Sequence, residues 1–178
     1  MTSISTRNKV PSECKLIPIS SERVIGRRVL LASADVAKLL LDPKAAEQQK
    51  FPDGHAWALV NRYLGGLHIT MSLGGKSRRY VEFERLANHE EVWVISFRNA
   101  SGQQWRFFGR FARCDHFIVL IPRARSKLEG RNYDRAAEDF RARWERCFPR
   151  TSFVKGSHWS DYVTGPARDI CEDDGESF

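Results

Sequence analysis

The fold is set by three neighbouring stretches of sequence, VWVISFR (residues 92–98), QWRFFGRF (104–111) and FIVLI (117–121). Each is an apolar and aromatic run of strand length, and the turn sequence NASG (99–102) separates the first two. Runs of this kind, joined by short turns, are typical of neighbouring strands. The stretches therefore predict an antiparallel meander.

The middle stretch has two chemically different faces, because side chains alternate sides along a strand. Three aromatic residues share one face and two arginines share the other with a phenylalanine: Trp105, Phe107 and Phe111 against Arg106, Phe108 and Arg110. A basic face with an exposed ring suits RNA, since cations neutralise phosphates and a ring stacks on a base. The alternative is that the arginines only keep an outward face soluble.

Size and composition indicate one globular domain with appendages. The chain has 178 residues, of which 42% are hydrophobic and 29% charged. No apolar run approaches the ~20 residues needed to cross a bilayer. The first ten residues are polar, unlike a signal peptide. We therefore expect a cytoplasmic protein without a membrane partner.

The formal net charge of +7 is unevenly distributed along the chain. From Asp169 to the end there are acidic residues but no Lys or Arg, so the positive charge lies in the rest of the protein. Such an excess favours nucleic acid or an acidic protein as partner. Net charge alone does not choose between them.

The cysteines are far apart and form no C-x-x-C pair: Cys14, Cys114, Cys147 and Cys171. Neither a structural zinc site nor a dense disulfide framework is indicated, and we expect reduced thiols. The five histidines are equally scattered. We expect neither a metal nor a cofactor.

Three segments are predicted along the chain. Residues 1–26 read as a loosely ordered N-terminal arm, residues 27–150 as an α+β domain, and residues 151–178 as a C-terminal extension with an acidic tail. The arm contains prolines and serines without sustained periodicity, and the extension has no repeated pattern.

The predicted domain begins with a short strand at residues 28–32 and a helix after Ser33 that Asp42-Pro43 ends or interrupts. A second helical pattern ends at Gly65-Gly66, and the last helix covers residues 133–147. The sequence therefore predicts an α+β fold. It has a small antiparallel sheet of about four strands, N-terminal helices on one face and a C-terminal helix.

This order of elements resembles the RelE/ParE toxin superfamily, particularly its HigB-like and phage-derived branches. The resemblance lies in EVWVISFR (91–98), WRFF (105–108), FIVLI (117–121) and the basic loop RARSK (123–127) ahead of the last helix. It covers roughly residues 28–148, and its parts occur in the family's order although none is diagnostic alone. It implies a RelE-like fold.

The resemblance also implies a metal-independent endoribonuclease acting on mRNA, with translating messages on the ribosome as candidate substrates. In such a reaction the 2′-hydroxyl attacks the adjacent phosphate, and preorganised guanidinium groups stabilise the developing charge. The candidate catalytic residues are Arg106 and Arg110 as phosphate clamps, with His116 and Tyr133 for proton transfer. The alternative is that Tyr133 packs as the first apolar position of the last helix and that His116 is a turn residue. The candidate RNA-binding residues are Arg98, Phe108, Arg123, Arg125 and Lys127.

Two other functions remain open. The basic sheet could bind nucleic acid without catalysis, or the chain could act like ParE and block a topoisomerase. As a toxin, the protein would have an antitoxin protein as partner. Cleavage of purified RNA without added metal separates the ribonuclease from the other two.

Overall fold

The three strands of the predicted meander form the middle of a larger sheet. The computed structural model of the protein describes residues 11–21, 27–74, 80–99 and 102–169. Its strands are β1 (Ile17–Ile19), β2 (Val29–Ala32), β3 (Ile69–Ser72), β4 (Phe83–Arg85), β5 (Trp93–Arg98), β6 (Gln104–Arg113), β7 (His116–Ala124) and β8 (Ala167–Asp169). Across the sheet, the order of these described strands is β1-β2-β7-β6-β5-β4-β3-β8. The meander β5-β6-β7 therefore lies at the centre, with short strands on either side.

The sheet is mixed rather than antiparallel. β2 runs parallel to β7, and β3 runs parallel to both β4 and β8, whereas the other neighbouring pairs are antiparallel. The class α+β is confirmed, but the prediction of a small antiparallel sheet of about four strands is wrong. The additional strands β1, β3, β4 and β8 have three or four residues each. Such short runs carry too little alternation to be recognised from sequence.

In the described parts of the chain, four helices flank the sheet: α1 (Ala34–Leu41), α2 (Pro43–Gln48), α3 (Asp53–Leu64) and α4 (Asn132–Cys147). The predicted break at Asp42-Pro43 separates α1 from α2. The Asp42 side chain accepts hydrogen bonds from the backbone amides of Lys44 and Ala45 and so caps α2. Among the described residues, no helix has the length and apolar character that crossing a membrane requires.

The helices lie on opposite faces of the sheet. Helices α1, α2 and α3 pack on the face that carries Phe107 and Phe111. Helix α4 packs through Phe140 and Trp144 on the face that carries Phe108. The predicted alternation along β6 is therefore confirmed. The face that we expected to be exposed is nevertheless partly covered by α4.

Two aromatic side chains hold α4 on the sheet, since Phe140 and Trp144 are 0% and 2% exposed. We expect replacement of either by alanine to lower the free energy of unfolding by about 3 kcal/mol or more, because each change leaves a buried cavity. Urea denaturation measures the loss. Glu138→Ala, an exposed change in the same helix, should stay within about 0.5 kcal/mol of the wild type. Near-neutral aromatic variants would remove α4 from the core.

Both segments that flank the predicted domain contribute to the fold. β1 pairs antiparallel with β2, and β8 pairs parallel with β3. Tyr162 and Val163 are fully buried in the core on the side of α1, α2 and α3. Parts of the predicted arm and of the predicted extension therefore belong to the folded body. The remaining parts, including most of the acidic tail, lie outside the described residues, in 1–10, 22–26 and 170–178.

Cys14 and Cys147 form a disulfide bond, with Cα atoms 5.0 Å apart. The prediction of reduced thiols is therefore wrong for this pair. The two residues are 133 positions apart, so no local spacing in the sequence marks them as partners. The fold brings them together because the 3-10 turn Ser12–Cys14 meets the last turn of α4. Cys114 is a free thiol.

Candidate nucleic-acid interface

A row of polar side chains crosses the sheet on the face that packs against α4. Ser96, Arg106 and Arg123 are register partners on β5, β6 and β7, and register partners project from the same face. Glu84 on β4 lies nearby, because its register partner Val94 is two residues before Ser96. The sheet thus places one carboxylate and two guanidinium groups on one face.

Tyr133, in the first turn of α4, adds a phenol to this row. Its ring packs edge-on against Phe108, with ring centroids 5.7 Å apart. The positive charge of Arg106 acts on the Tyr133 phenol and lowers its pKa, and the guanidinium carbon of Arg125 lies 5.8 Å from the Tyr133 ring centroid. We call Glu84, Arg106, Arg125 and Tyr133 the Tyr133 cluster.

Burial shifts the pKa of both acidic groups in the Tyr133 cluster upward. For Glu84, desolvation raises the pKa of the carboxyl, and the charge of Arg106 only partly opposes this. For Tyr133, desolvation and the charge of Glu84 raise the pKa of the phenol, while Arg106 and Arg125 lower it. A carboxylate with a raised pKa is a stronger base. A phenol with a raised pKa is a weaker acid, and the charges of Arg106 and Arg125 counteract this part of the shift. The Tyr133 cluster therefore combines a proton acceptor, a proton donor and two fixed cations.

The structure brings several of the predicted site residues together. Arg106 and Tyr133 belong to the Tyr133 cluster with Arg125, and Arg123 stands beside Arg106 in register. Arg98, at the end of β5, is exposed on the same face as Ser96 and is paired in register with Gln104. Lys127 is exposed in the short 3-10 turn Arg125–Lys127.

Arg110 is not part of this surface, since it is only 5% exposed. Its Nε donates to the backbone oxygen of Glu91 at 3.1 Å, and its Nη2 donates to that of Glu90 at 2.8 Å. Its guanidinium carbon lies 3.8 Å from the Phe153 ring centroid and 5.1 Å from that of Trp144. Desolvation lowers the pKa of Arg110 to about 10. This arginine joins the sheet to α4 and the following segment instead of facing a ligand.

Two further predicted residues, Phe108 and His116, are not available for the roles predicted for them. Phe108 is fully buried, so its ring has no free face for a base. His116 lies at the β6-β7 turn, where its ring contacts Arg113 and the Cys114 carbonyl. Arg123 lies seven positions further along β7, which corresponds to about 23 Å. His116 is therefore not placed to exchange protons within the Tyr133 cluster.

A cleft opens on the other side of the Arg125–Lys127 turn, where the end of β7 meets α1 and α2. It consists of two adjoining cavities of about 600 and 430 Å³ that share Gln49, Trp105, Ala124 and Lys127. Its charged lining residues are five cations and one carboxylate, Lys38, Lys50, Arg123, Arg125, Lys127 and Asp35. We call this opening the basic cleft.

Sequence reasoning missed Glu84, Lys38 and Lys50. Glu84 lies in a three-residue strand, and only the register between β4 and β5 places it near Arg106. Lys38 and Lys50 belong to α1 and to the turn after α2, and nothing in their local sequence distinguishes them from solvated lysines. Lys50 has a left-handed backbone, φ 52°, at a helix end where glycine is usual. This feature is visible in the structure and has no counterpart in the local sequence.

Within the part of the chain that the structure describes, no group of three or more His, Cys, Asp or Glu side chains could hold a metal ion. Comparison of the chain with protein-family models, with curated proteins and with solved structures finds no match. The candidate function therefore depends on the chemistry of the two surfaces described above.

Proposed function

We propose that the protein is a metal-independent endoribonuclease acting on mRNA. The observation that carries the proposal is the Tyr133 cluster, in which a carboxyl whose pKa is raised by burial and a phenol lie beside two arginines at one face of the sheet. Perturbed acidic groups next to fixed cations are typical of sites that move protons during phosphate chemistry.

Each member of the Tyr133 cluster has a defined role in this reaction. Glu84 accepts the proton of the attacking 2′-hydroxyl, and the new bond from that oxygen to phosphorus closes a cyclic phosphate. Tyr133 donates its proton to the 5′-oxygen as the bond from phosphorus to that oxygen breaks. Arg106 and Arg125 stabilise the negative charge that gathers on the phosphate oxygens. The products are a 2′,3′-cyclic phosphate and a 5′-hydroxyl.

The direct test is incubation of purified protein with a defined single-stranded RNA in the presence of EDTA. We expect cleavage to yield fragments whose masses correspond to 2′,3′-cyclic phosphate ends. Intact RNA after prolonged incubation with folded protein, both alone and with ribosomes, would remove the catalytic proposal. Cleavage that requires an added divalent metal would also contradict it.

Arg106→Ala is expected to lower the cleavage rate by about 10²-fold while leaving thermal stability nearly unchanged. The loss follows from removing one preorganised donor to the transition state. The half-buried position of Arg106 at the sheet surface predicts a stability change of only about 0.5 kcal/mol. Single-turnover rates and thermal melts measure both effects.

Arg150→Ala is the matched control, because Arg150 is an exposed arginine beyond the end of α4 and outside both surfaces. It should retain the wild-type rate. If Arg106→Ala strongly destabilised the protein while activity per folded molecule stayed unchanged, Arg106 would be structural.

The sequence resemblance supports a cellular role for this activity as the toxin of a toxin-antitoxin system. In that role the protein acts in the cytoplasm on messages, including those on the ribosome, and an antitoxin protein neutralises it. Induced expression in a bacterial host should stop translation, and the Arg106→Ala variant should not. Unchanged growth with accumulated, soluble wild-type protein would argue against a toxin.

Nucleic-acid binding without catalysis is the second candidate, and the basic cleft favours it. Its cations neutralise phosphates whether or not the Tyr133 cluster reacts. Salt-dependent RNA binding without any cleavage in the EDTA experiment would select this function.

A further inference from the structure

We infer that the basic cleft is a binding subsite for single-stranded RNA that continues beyond the Tyr133 cluster, so that the protein takes unpaired RNA and excludes duplexes. This inference rests on the proposed function, because it names the substrate class of that same site. According to this inference, the RNA that flanks the reacting phosphate binds a second surface of the protein. That surface is the basic cleft on the other side of the Arg125–Lys127 turn.

The cleft and the cluster are connected through two arginines. Arg125 lines the larger cavity, and its guanidinium carbon also lies 5.8 Å from the ring centroid of Tyr133. Arg123 lines the smaller cavity, and it is the register partner of Arg106. An RNA strand that crosses the end of β7 therefore contacts the Tyr133 cluster on one side and the basic cleft on the other.

The charges in the cleft favour a polyanion. Lys38, Lys50 and Lys127 are exposed, and no carboxylate of the described residues forms an ion pair with them. Asp35, the acid among the lining residues, lies 3.5 Å from Arg143 and is partly neutralised there. Arg123 pairs with Asp139 of α4 at 3.7 Å, so the positive charge available to bind phosphates and release their counterions is that of the three lysines and Arg125.

The dimensions and the polar groups of the cleft favour an unpaired strand. Cavities of about 600 and 430 Å³ match the 300–1,000 Å³ range of sites for single small ligands. Each cavity therefore suits one unpaired nucleotide. The bases of a duplex are paired inside the double helix and cannot enter such a cavity. Four glutamines line the larger cavity, Gln48, Gln49, Gln103 and Gln104. The amide oxygens of Gln103 and Gln104 already accept from Asn99 Nδ2 and Arg106 Nη2, and the other amide groups can donate to or accept from a base edge.

Trp105 does not act as a stacking platform in this cleft. It is 7% exposed, and its ring packs edge-on against Phe51 with centroids 5.5 Å apart. Recognition therefore depends on phosphate neutralisation and amide hydrogen bonds. Binding of this kind is strongly dependent on salt.

The experiment measures fluorescence anisotropy with a labelled 12-nucleotide RNA, the same RNA annealed to its complement, and the full-length protein. The test variant is Lys38→Glu with Lys50→Glu, because these two exposed lysines line the cleft and lie outside the Tyr133 cluster. The control is Lys15→Glu with Arg150→Glu, which makes the same charge change at exposed positions outside both surfaces. Circular dichroism and thermal melts check that each variant is folded.

We expect the wild type to bind the single strand at least tenfold more tightly than the duplex. The test variant should weaken single-strand binding about tenfold or more, and its slope of log K against log salt should fall by about 1.4 because two phosphate contacts are lost. The control should bind like the wild type. Unchanged binding by the test variant, or equal binding of strand and duplex by the wild type, would overturn the inference.

Cleavage assays separate this inference from the proposed function. A dinucleotide reaches the Tyr133 cluster alone, so the test variant should cleave it normally while its KM for the 12-nucleotide RNA rises and kcat is unchanged. Equal loss on both substrates would show that the cleft is not a separate subsite. If no RNA is cleaved but the test variant alone loses binding, the cleft inference stands and the ribonuclease proposal fails.

Discussion

Glu84→Gln is expected to lower the rate of RNA cleavage by about 10²- to 10⁴-fold, the range typical of a lost general base. Glutamine keeps the shape of the side chain but does not accept a proton. Because burial raises the pKa of Glu84, the reactive carboxylate forms at a higher pH than in an exposed glutamate. The wild-type rate should therefore rise with pH through that pKa. Single-turnover rates at saturating RNA should show this rise in the wild type and none in the variant.

Stability measurements distinguish this role from a structural one. A raised pKa means that the ionised carboxylate is less favourable in the folded protein than in the unfolded chain. The neutral amide should therefore not destabilise the fold at neutral pH. Glu138→Gln, an exposed change on α4, is the matched control and should keep both the rate and the pH profile. A Glu84→Gln enzyme with the wild-type rate and profile would place the base elsewhere.

Sequence reasoning was most reliable where a segment was long and strongly periodic. Strands β5, β6 and β7 and helix α4 were predicted because each has enough residues for its period to be visible. The flanking strands β1, β3, β4 and β8 have only three or four residues each, too few for a period to be visible. The order and direction of strands also depend on contacts between distant segments. The parallel alignment of β2 with β7, for example, joins residues almost ninety positions apart, and no local pattern encodes such a contact.

The candidate site was only partly predictable for a related reason. Alternation along β6 correctly separated Arg106 from Trp105 and Phe107, but alternation assigns a face and says nothing about what covers it. Helix α4 covers the part of that face containing Phe108 and Arg110, which are therefore buried. The neighbourhood of Arg106 also contains Glu84, whose position depends on the register of β4 with β5.

Opening the Cys14–Cys147 disulfide is expected to lower the free energy of unfolding by about 2–5 kcal/mol. The bond closes a loop of 133 residues, so it strongly restricts the unfolded chain. Polar contacts of the described residues also join the N-terminal turn to α4, and Arg143 Nη2 donates to the Glu13 backbone oxygen at 2.8 Å. Arg146 lies 3.4 Å from the Glu13 carboxylate, but this pair is exposed, and such pairs contribute about 0–1 kcal/mol.

Urea denaturation of the oxidised protein, the protein with reductant, and the Cys14→Ser variant measures this contribution. We expect reductant and Cys14→Ser to lower stability equally, with no further loss when they are combined. Cys114→Ser is the matched control, because Cys114 is a free thiol, and its response to reductant should equal that of the wild type. Cysteines are kept reduced in most cytoplasms, so the proposed role in the cytoplasm requires the protein to remain folded without this bond. If Cys14→Ser retains RNA cleavage, the pairing of β1 with β2 suffices to hold the N-terminal segment. If the free energy of unfolding is the same with the disulfide intact and with it reduced, the bond contributes nothing to stability.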